Sequence, residues 1–323
     1  MSKKKLAAFI GIILLGILSN IAIFYYIKPE PQGGSVLLAN IGRCLLLDAA
    51  LLLLLRFFGS FLELFMDVFH NRKLLLSLSK NDFKTKYAGS YLGIIWAFIQ
   101  PIVTVLVYWF VFEVGFRSGA VMEVPFVLWL IAGIVPWFFF SEGLNGGTNS
   151  FIEYSYLVKK VVFHIDILPI VKVISALFVH IFFVAFTVFM FCISGYFPSI
   201  HAVQIVYYSF CLFVFVLGLS YATSAIVIFF RDLGQIINIV LQVGIWATPI
   251  MWQETMLGEN IRWILKLNPI YYIVSGYRDS LIHRVWFWEN PTQLIYFWFV
   301  TILVFSLGLA LFRRLKIHFS DVL

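Results

Sequence analysis

Arg43, Asp48, Lys172 and His180 are ionisable side chains set inside long apolar runs of this sequence, where a charge can relay protons or hold an ion. Arg43 and Asp48 lie five residues apart, so they offset each other imperfectly or pair with other helices; at the centre of a membrane each costs about 2.5 to 3.5 kcal/mol. A structural pairing outweighs a transport role for both. Lys172 stands about one and a half turns inside its run and can snorkel to an interface. His180 sits deeper, and a lone histidine on an apolar helix is more often a packing residue with its hydrogen bonds met than a proton relay. Glu113 and Glu142 fall near the ends of their runs.

Recognisable catalytic chemistry is absent from the sequence. There is no GxxxxGK followed by Ser or Thr to cradle a phosphate, and no soluble stretch long enough for an ATPase domain. HExxH, GxSxG and any cluster of intramembrane carboxylates and histidines are missing too. Cys44, Cys192 and Cys211 sit in apolar stretches without CxxC spacing, which points to buried thiols and away from a disulfide framework or a metal site. These residues describe a conduit whose energy comes from elsewhere.

The elements that hold them are membrane helices. Hydrophobic residues make up 62% of the sequence, aromatic residues 19% and charged residues only 12%, against about 25% charged in soluble domains. Eight apolar stretches approach the ~20 residues a spanning helix needs: Leu6 to Ile27, Val36 to Leu55, Leu92 to Phe116, Phe126 to Gly146, Ile167 to Ser194, Val203 to Phe230, Gln235 to Trp252 and Leu294 to Phe312. The first is too long for a signal peptide and reads as a retained span. A net charge of +7 suggests no nucleic-acid partner, because the cations flank apolar runs; placing both termini in the cytosol puts most of the 23 Lys and Arg there. The expected location is the plasma membrane.

Three non-spanning regions stand out. Phe65, Val68, Phe69, Leu75, Leu76 and Phe83 recur at helical spacing opposite His70, Asn71, Lys73, Ser77, Lys80 and Lys84, which predicts an interfacial amphipathic helix. Phe151 to Asp166 is a cytosolic loop that a soluble partner can grip. Asn260 to Leu267, Tyr271 to Leu281 and Val285 to Trp288 lie outside, too short to span and too apolar for water, so they predict re-entrant or interfacial helices. Between them, Pro249 breaks a span and Pro269 starts a helix or turn. The run Asp82 to Pro101 passes from cations through Gly89 and Gly93, spaced as GxxxG, into the span anchored by Trp96, and reads as a membrane entry point.

From Phe65 to Leu323 the sequence resembles the permease subunit of type-2 ATP-binding cassette polysaccharide exporters, and within them is most similar to wall teichoic acid translocation permeases. Asp82 to Pro101 resembles the family's entry motif, and Trp137, Phe138 and Phe139 after Pro136 its second-span signature. Asn149 through Pro169, with Lys159, Lys160 and Phe163, resembles its coupling loop; Arg231 with Asp232, and Thr248 to Trp252, resemble its later turn and proline break. Leu267 to Leu281 resembles the outer gate region, while Trp286 to Pro291 and Phe319 to Leu323 favour the teichoic acid branch over the O-antigen branch. The family unit has six spans, so residues 1–60 read as two additional N-terminal transmembrane helices and residues 61–323 as the exporter domain.

The resemblance implies an all-α integral membrane protein that forms a homodimer, joined to two ATPase subunits that hold the ATP and magnesium; this chain binds no cofactor and is not an enzyme. It implies a polymer linked to polyprenyl diphosphate passing between the two copies. Aromatic faces offer such a hydroxyl-rich chain contact without deep hydrogen-bonded wells, which makes Tyr108, Trp109, Phe112, Trp137, Trp246 and Trp252 the pore candidates. Arg72, Lys73, Lys84 and Lys86 are candidates for meeting the diphosphate. Tyr154, Lys159, Lys160, His164, Asp166, Arg231 and Asp232 are the expected ATPase-coupling residues, and Asn268, Pro269 and Arg278 the expected outer gate. The competing readings are an O-antigen-type exporter permease, a type-2 drug or lipid exporter, a self-contained carrier or channel, and an embedded transferase.

Overall fold

A computed structural model describes residues 3–26, 36–117, 119, 121, 124–158 and 165–322. Among them the chain is helical almost throughout, as its composition predicts, with one isolated bridge between Val121 and Val124. The helices are α1 (Lys3–Tyr26), α2 (Val36–His70), α3 (Arg72–Thr85), α4 (Trp96–Trp109), α5 (Phe126–Glu153), α6 (Ser155–Val158), α7 (Leu168–Ile193), α8 (Gln204–Val227), α9 (Leu233–Ala247), α10 (Glu259–Lys266), α11 (Pro269–Arg278), α12 (Pro291–Leu315) and α13 (Phe319–Val322). A π-helical segment, Phe110–Gly115, extends α4.

Six described stretches are long and apolar enough to cross a membrane: Leu38–His70, Gly93–Gly115, Phe126–Glu153, Ile165–Ile193, Ile200–Val227 and Pro291–His318. The first expected span forms α1, which packs on α2. The seventh differs from expectation. α9 has 15 residues, about 22 Å of helix against a hydrocarbon core of about 30 Å. The cause is Pro249, which pushes the residue before it out of the helical region; Thr248 adopts φ −92, ψ 135 and ends the helix.

α5 is the centre of the bundle. Its first half, residues 126–140, is apolar on every side, as an enclosed helix must be, with Leu128, Leu130, Ala132 and Ile134 wholly buried. α7, α8 and α11 pack around it, and α12 covers α8 while also meeting α2. Glycines let α8 and α12 come close: a Cβ on Gly308 would sit 2.5 Å from the Gly218 carbonyl oxygen, and one on Gly218 would sit 2.9 Å from the Phe305 Cα. The tail is fastened by Phe319, 1% exposed, whose ring lies 5.1 Å from Phe151 and 5.8 Å from Phe312.

One expectation at the entry region is corrected. The amphipathic segment is not one helix: Phe65, Val68 and Phe69 belong to the end of α2, and the separate α3 begins at Arg72. Asn71 marks the elbow, with φ −96, ψ 16 and its amide donating to the Asp67 carbonyl at 2.9 Å. α2 also runs unbroken through residue 60, where the two expected domains meet. Gly89 and Gly93 act through their backbone. Both lie before α4 at φ +85 and +53, with nothing within 4 Å of an added Cβ, so their role is a backbone turn that other residues resist.

The charges inside apolar runs resolve by pairing across helices. Arg43 donates to Asn40 Oδ1 at 2.7 Å and to Thr292 Oγ1 on α12 at 2.8 Å, while Asp48 accepts from Asn20 of α1 at 2.8 Å. His180, 3% exposed, meets Tyr277 Oη at 2.9 Å and Ser209 Oγ at 3.1 Å and stacks on Phe139, as a packing residue does.

Candidate functional site

Helix direction divides the molecule into a basic end, carrying α3 and the last turns of α5, α8 and α12, and an opposite end built from α10, α11 and the start of α12. Each end holds one constellation.

At the basic end a cleft of about 370 Å³ opens between α3, α5 and α7, with Asp82, Lys86, Glu142, Glu153 and Lys172 among its walls. α3 lies across α7 and delivers Asp82, whose side chain is 7% exposed, to Lys172 Nζ at 2.6 Å. The same ammonium reaches Glu153 at 2.5 Å, and the Tyr154 hydroxyl donates to Asp82 at 2.7 Å. Burial, and then the hydrogen bond to Asp82, push the Tyr154 phenol far above its usual range, which keeps it a proton donor. Lys86 closes the other wall on Glu142. Burial works against its charge, but the carboxylate outweighs burial and the lysine pKa is raised. The arrangement holds three helices together by ionic contacts that a shift of α3 would have to break.

Of the expected coupling residues, Tyr154 joins this cleft through its hydrogen bond to Asp82. Asp166 pairs with Lys316 beyond α12, and its backbone carbonyl accepts from Tyr221 at 2.6 Å. Arg231 and Asp232 are exposed on the turn between α8 and α9 at the same end. Lys159, Lys160 and His164 fall outside the described residues. The four cations expected to meet a diphosphate fall in two places: Lys84 and Lys86 near the cleft, and Arg72 and Lys73 at the α2–α3 elbow. α3, with 14 residues, separates the two by about 20 Å.

At the opposite end Asn268 caps α11 by accepting from the Ile270 N–H at 3.0 Å, with Pro269 in its first turn, and donates to Thr248 Oγ1 at 2.9 Å. Arg278, 6% exposed, donates to the carbonyls of Pro249 and Ile250 at 2.7 and 2.8 Å. Its guanidinium stands 3.5 Å from the Trp129 ring centroid in space that Gly133 leaves open. Asn268 and Arg278 brace α11 against the break after α9, Asn268 through the Thr248 hydroxyl and Arg278 by supplying donors to the Pro249 and Ile250 carbonyls that the interrupted helix leaves without partners.

With both constellations described, the comparison with known proteins is direct. The sequence matches the family described as "ABC-2 type transporter" over residues 73–282. The chain belongs to the ABC-2 type transporter family. It is similar to the O-antigen export system permease protein RfbA of Klebsiella pneumoniae, 27% identical over 252 residues that cover 77% of this chain and 95% of that protein. RfbA of Myxococcus xanthus is 30% identical over 219 residues, covering 67% and 83%. The polysialic acid transport protein KpsM of Escherichia coli is 21% identical over 243 residues, covering 73% and 91%.

This ABC-2 type transporter chain is therefore a multi-pass membrane protein, and both constellations fall inside the matched region while α1 and α2 precede it. Its aromatic candidates are dispersed. Tyr108 and Trp109 end α4, and Phe112 lies in the π-helical segment 5.6 Å from Phe126. Trp137 is 5% exposed and packs on Phe140 and Gly244, between α5 and α9. Trp246 is exposed on α9, and its carbonyl accepts from Trp252 Nε1 at 2.9 Å. Asp82, Glu142, Glu153 and Lys172 were not among the expected site residues. Their sequence signal was an acid opening the entry run and a lysine just inside an apolar run, two unpaired opposite charges near one interface.

Proposed function

We propose that this chain is the permease subunit of an exporter that moves a lipid-linked cell-surface polysaccharide out of the cytosol on ATP hydrolysed, with magnesium, by a separate subunit. Two copies of the chain and two ATPase subunits make the assembly, and the basic end faces the cytosol. The observation that carries this reading is the basic-end cleft: an ionic junction of α3, α5 and α7 beside the exposed Arg231–Asp232 turn, where a soluble motor can push. Support comes from relatives named as export permeases for O-antigen and as a polysialic acid transport protein, and from a sequence that carries no phosphate loop.

In this reading Lys84 and Lys86 meet the diphosphate at the cytosolic leaflet, and Tyr108, Trp109, Phe112, Trp246 and Trp252 offer aromatic faces to the polymer, with Trp137 behind them. The Lys159–Lys160 loop, with Tyr154, His164 and Asp166, receives the ATPase, and the Asn268–Arg278 brace transmits its motion to the outer end. The cargo is wall teichoic acid, as the resemblance at Trp286 to Pro291 and Phe319 to Leu323 suggests. The second reading, an O-antigen-type polysaccharide, is favoured by the names of the relatives.

Proteoliposomes provide the test. The chain with its ATPase subunit is expected to translocate lipid-linked polymer with ATP, and the chain alone is not. Transport by the chain alone would refute the proposal, and offering teichoic acid and O-antigen precursors side by side separates the two cargo readings. Charge reversal at both Lys159 and Lys160 should abolish ATP-driven transport while the dimer remains intact by size.

A further inference from the structure

Two apolar cavities, of about 560 and 620 Å³, run along the outside of the bundle beside α7 and α8. They share Ile174 and Phe213 and so form one furrow, reaching from Leu75 and Leu76 of α3 to Val206 near the start of α8. Phe61, Phe65 and Val68 of α2 make one wall. Ordered water needs two to four polar partners; of the polar side chains in these walls, His180 and Ser209 already bond Tyr277, which leaves Thr301. A void would forfeit the dispersion contacts of every lining side chain, so hydrocarbon fills the furrow.

The end of the furrow at α3 is cationic. Arg72 stands three and four residues before Leu75 and Leu76, on the same face of α3, and its guanidinium lies 4.7 Å from the Phe69 ring. His70, Arg72 and Lys73 are exposed around a basin of about 380 Å³, and no carboxylate pairs with them among the described residues. An apolar channel that ends in unpaired cations at a membrane interface has the chemistry of an amphiphile with an anionic head.

We propose that the elbow and furrow together bind an anionic phospholipid from the basic-end leaflet, its phosphate on Arg72 and Lys73 and an acyl chain along α7 and α8. The site stands about 20 Å from the cleft at Lys86 along α3, so it is separate from the route argued for the cargo, and it holds whatever that cargo is. It also gives α2 a task. The wall that α2 supplies lies before residue 73, where the family match begins, so the site joins α2 to the matched region.

The full chain, purified in mild detergent and titrated with phosphatidylglycerol or phosphatidylcholine, reads the proposal by native mass spectrometry. Wild type should retain phosphatidylglycerol about tenfold better, and Arg72→Ala with Lys73→Ala should remove that preference. Ile174→Trp, which fills the furrow without touching the cations, should lower retention to the level of the double variant. Equal retention of the two lipids, an unchanged preference in the double variant or full retention in Ile174→Trp overturns the site. Displacement of the bound phospholipid by polyprenyl phosphate at tenfold lower concentration also overturns it and assigns the furrow to the tail of the cargo.

Discussion

The Asp82–Lys172 pair shows how much one contact carries. Both side chains are nearly buried, at 7% and 11% exposed, so removing one partner leaves a charge without compensation, at about 3 to 5 kcal/mol. Lys172→Met is expected to lower stability by that amount in detergent unfolding, and Asp82→Asn added to it is expected to recover most of the loss. Arg278 tests geometry in place of charge. Arg278→Lys keeps the cation but cannot span the Pro249 and Ile250 carbonyls together, and a loss of about 1.5 to 3 kcal/mol with faster amide exchange in α11 is the expected outcome. The sequence made some of this legible. Arg43 and Asp48 pair with other helices, one of the two arrangements their spacing allows, and the segments after α9 are short helices as their length requires. The partner of Lys172 was illegible because Asp82 lies 90 residues away, and no local pattern encodes a contact made when α3 folds across α7.

Helices were easier to read than their junctions. Apolar runs longer than a bilayer announce themselves, whereas the elbow at Asn71 is a local backbone bend with a side-chain hydrogen bond to Asp67, and α9 ends at one proline. Gly89 and Gly93 show the same limit, since GxxxG spacing describes both a helix-packing face and two independent turns, and only backbone dihedrals tell them apart. The glycines that do bring helices together, Gly218 and Gly308, sit 90 residues apart on α8 and α12 without any motif. Gly308→Leu is expected to force these helices apart, because the atom facing the new Cβ is a backbone carbonyl that cannot swing aside. Loss of a monodisperse species on size exclusion checks it.

For the molecule as a whole, sidedness is the property from which the rest of the functional reading follows. With the native cysteines replaced, a cysteine at Thr255 is expected to react with an impermeant maleimide in intact cells, and one at Lys80 only after permeabilisation. The reverse pattern would invert the export direction. Among the described residues α1 makes its sizeable contacts with α2, and Asp48 loses its Asn20 donor without it. A chain starting at residue 36 is expected to insert and to unfold at a temperature lower by a few degrees.

The shortness of α9 has a mechanical consequence. Its exposed aliphatic side chains, Ile236, Ile239, Val240 and Val243 among them, lie on a helix of about 22 Å, so hydrocarbon meeting that surface is left about 8 Å too deep. Lipid tails there must tilt or shorten, and the dimple they leave thins the barrier beside the Asn268–Arg278 brace. Turnover should therefore rise in bilayers of short-chain lipids and fall in long-chain ones, making membrane thickness itself a control on this protein.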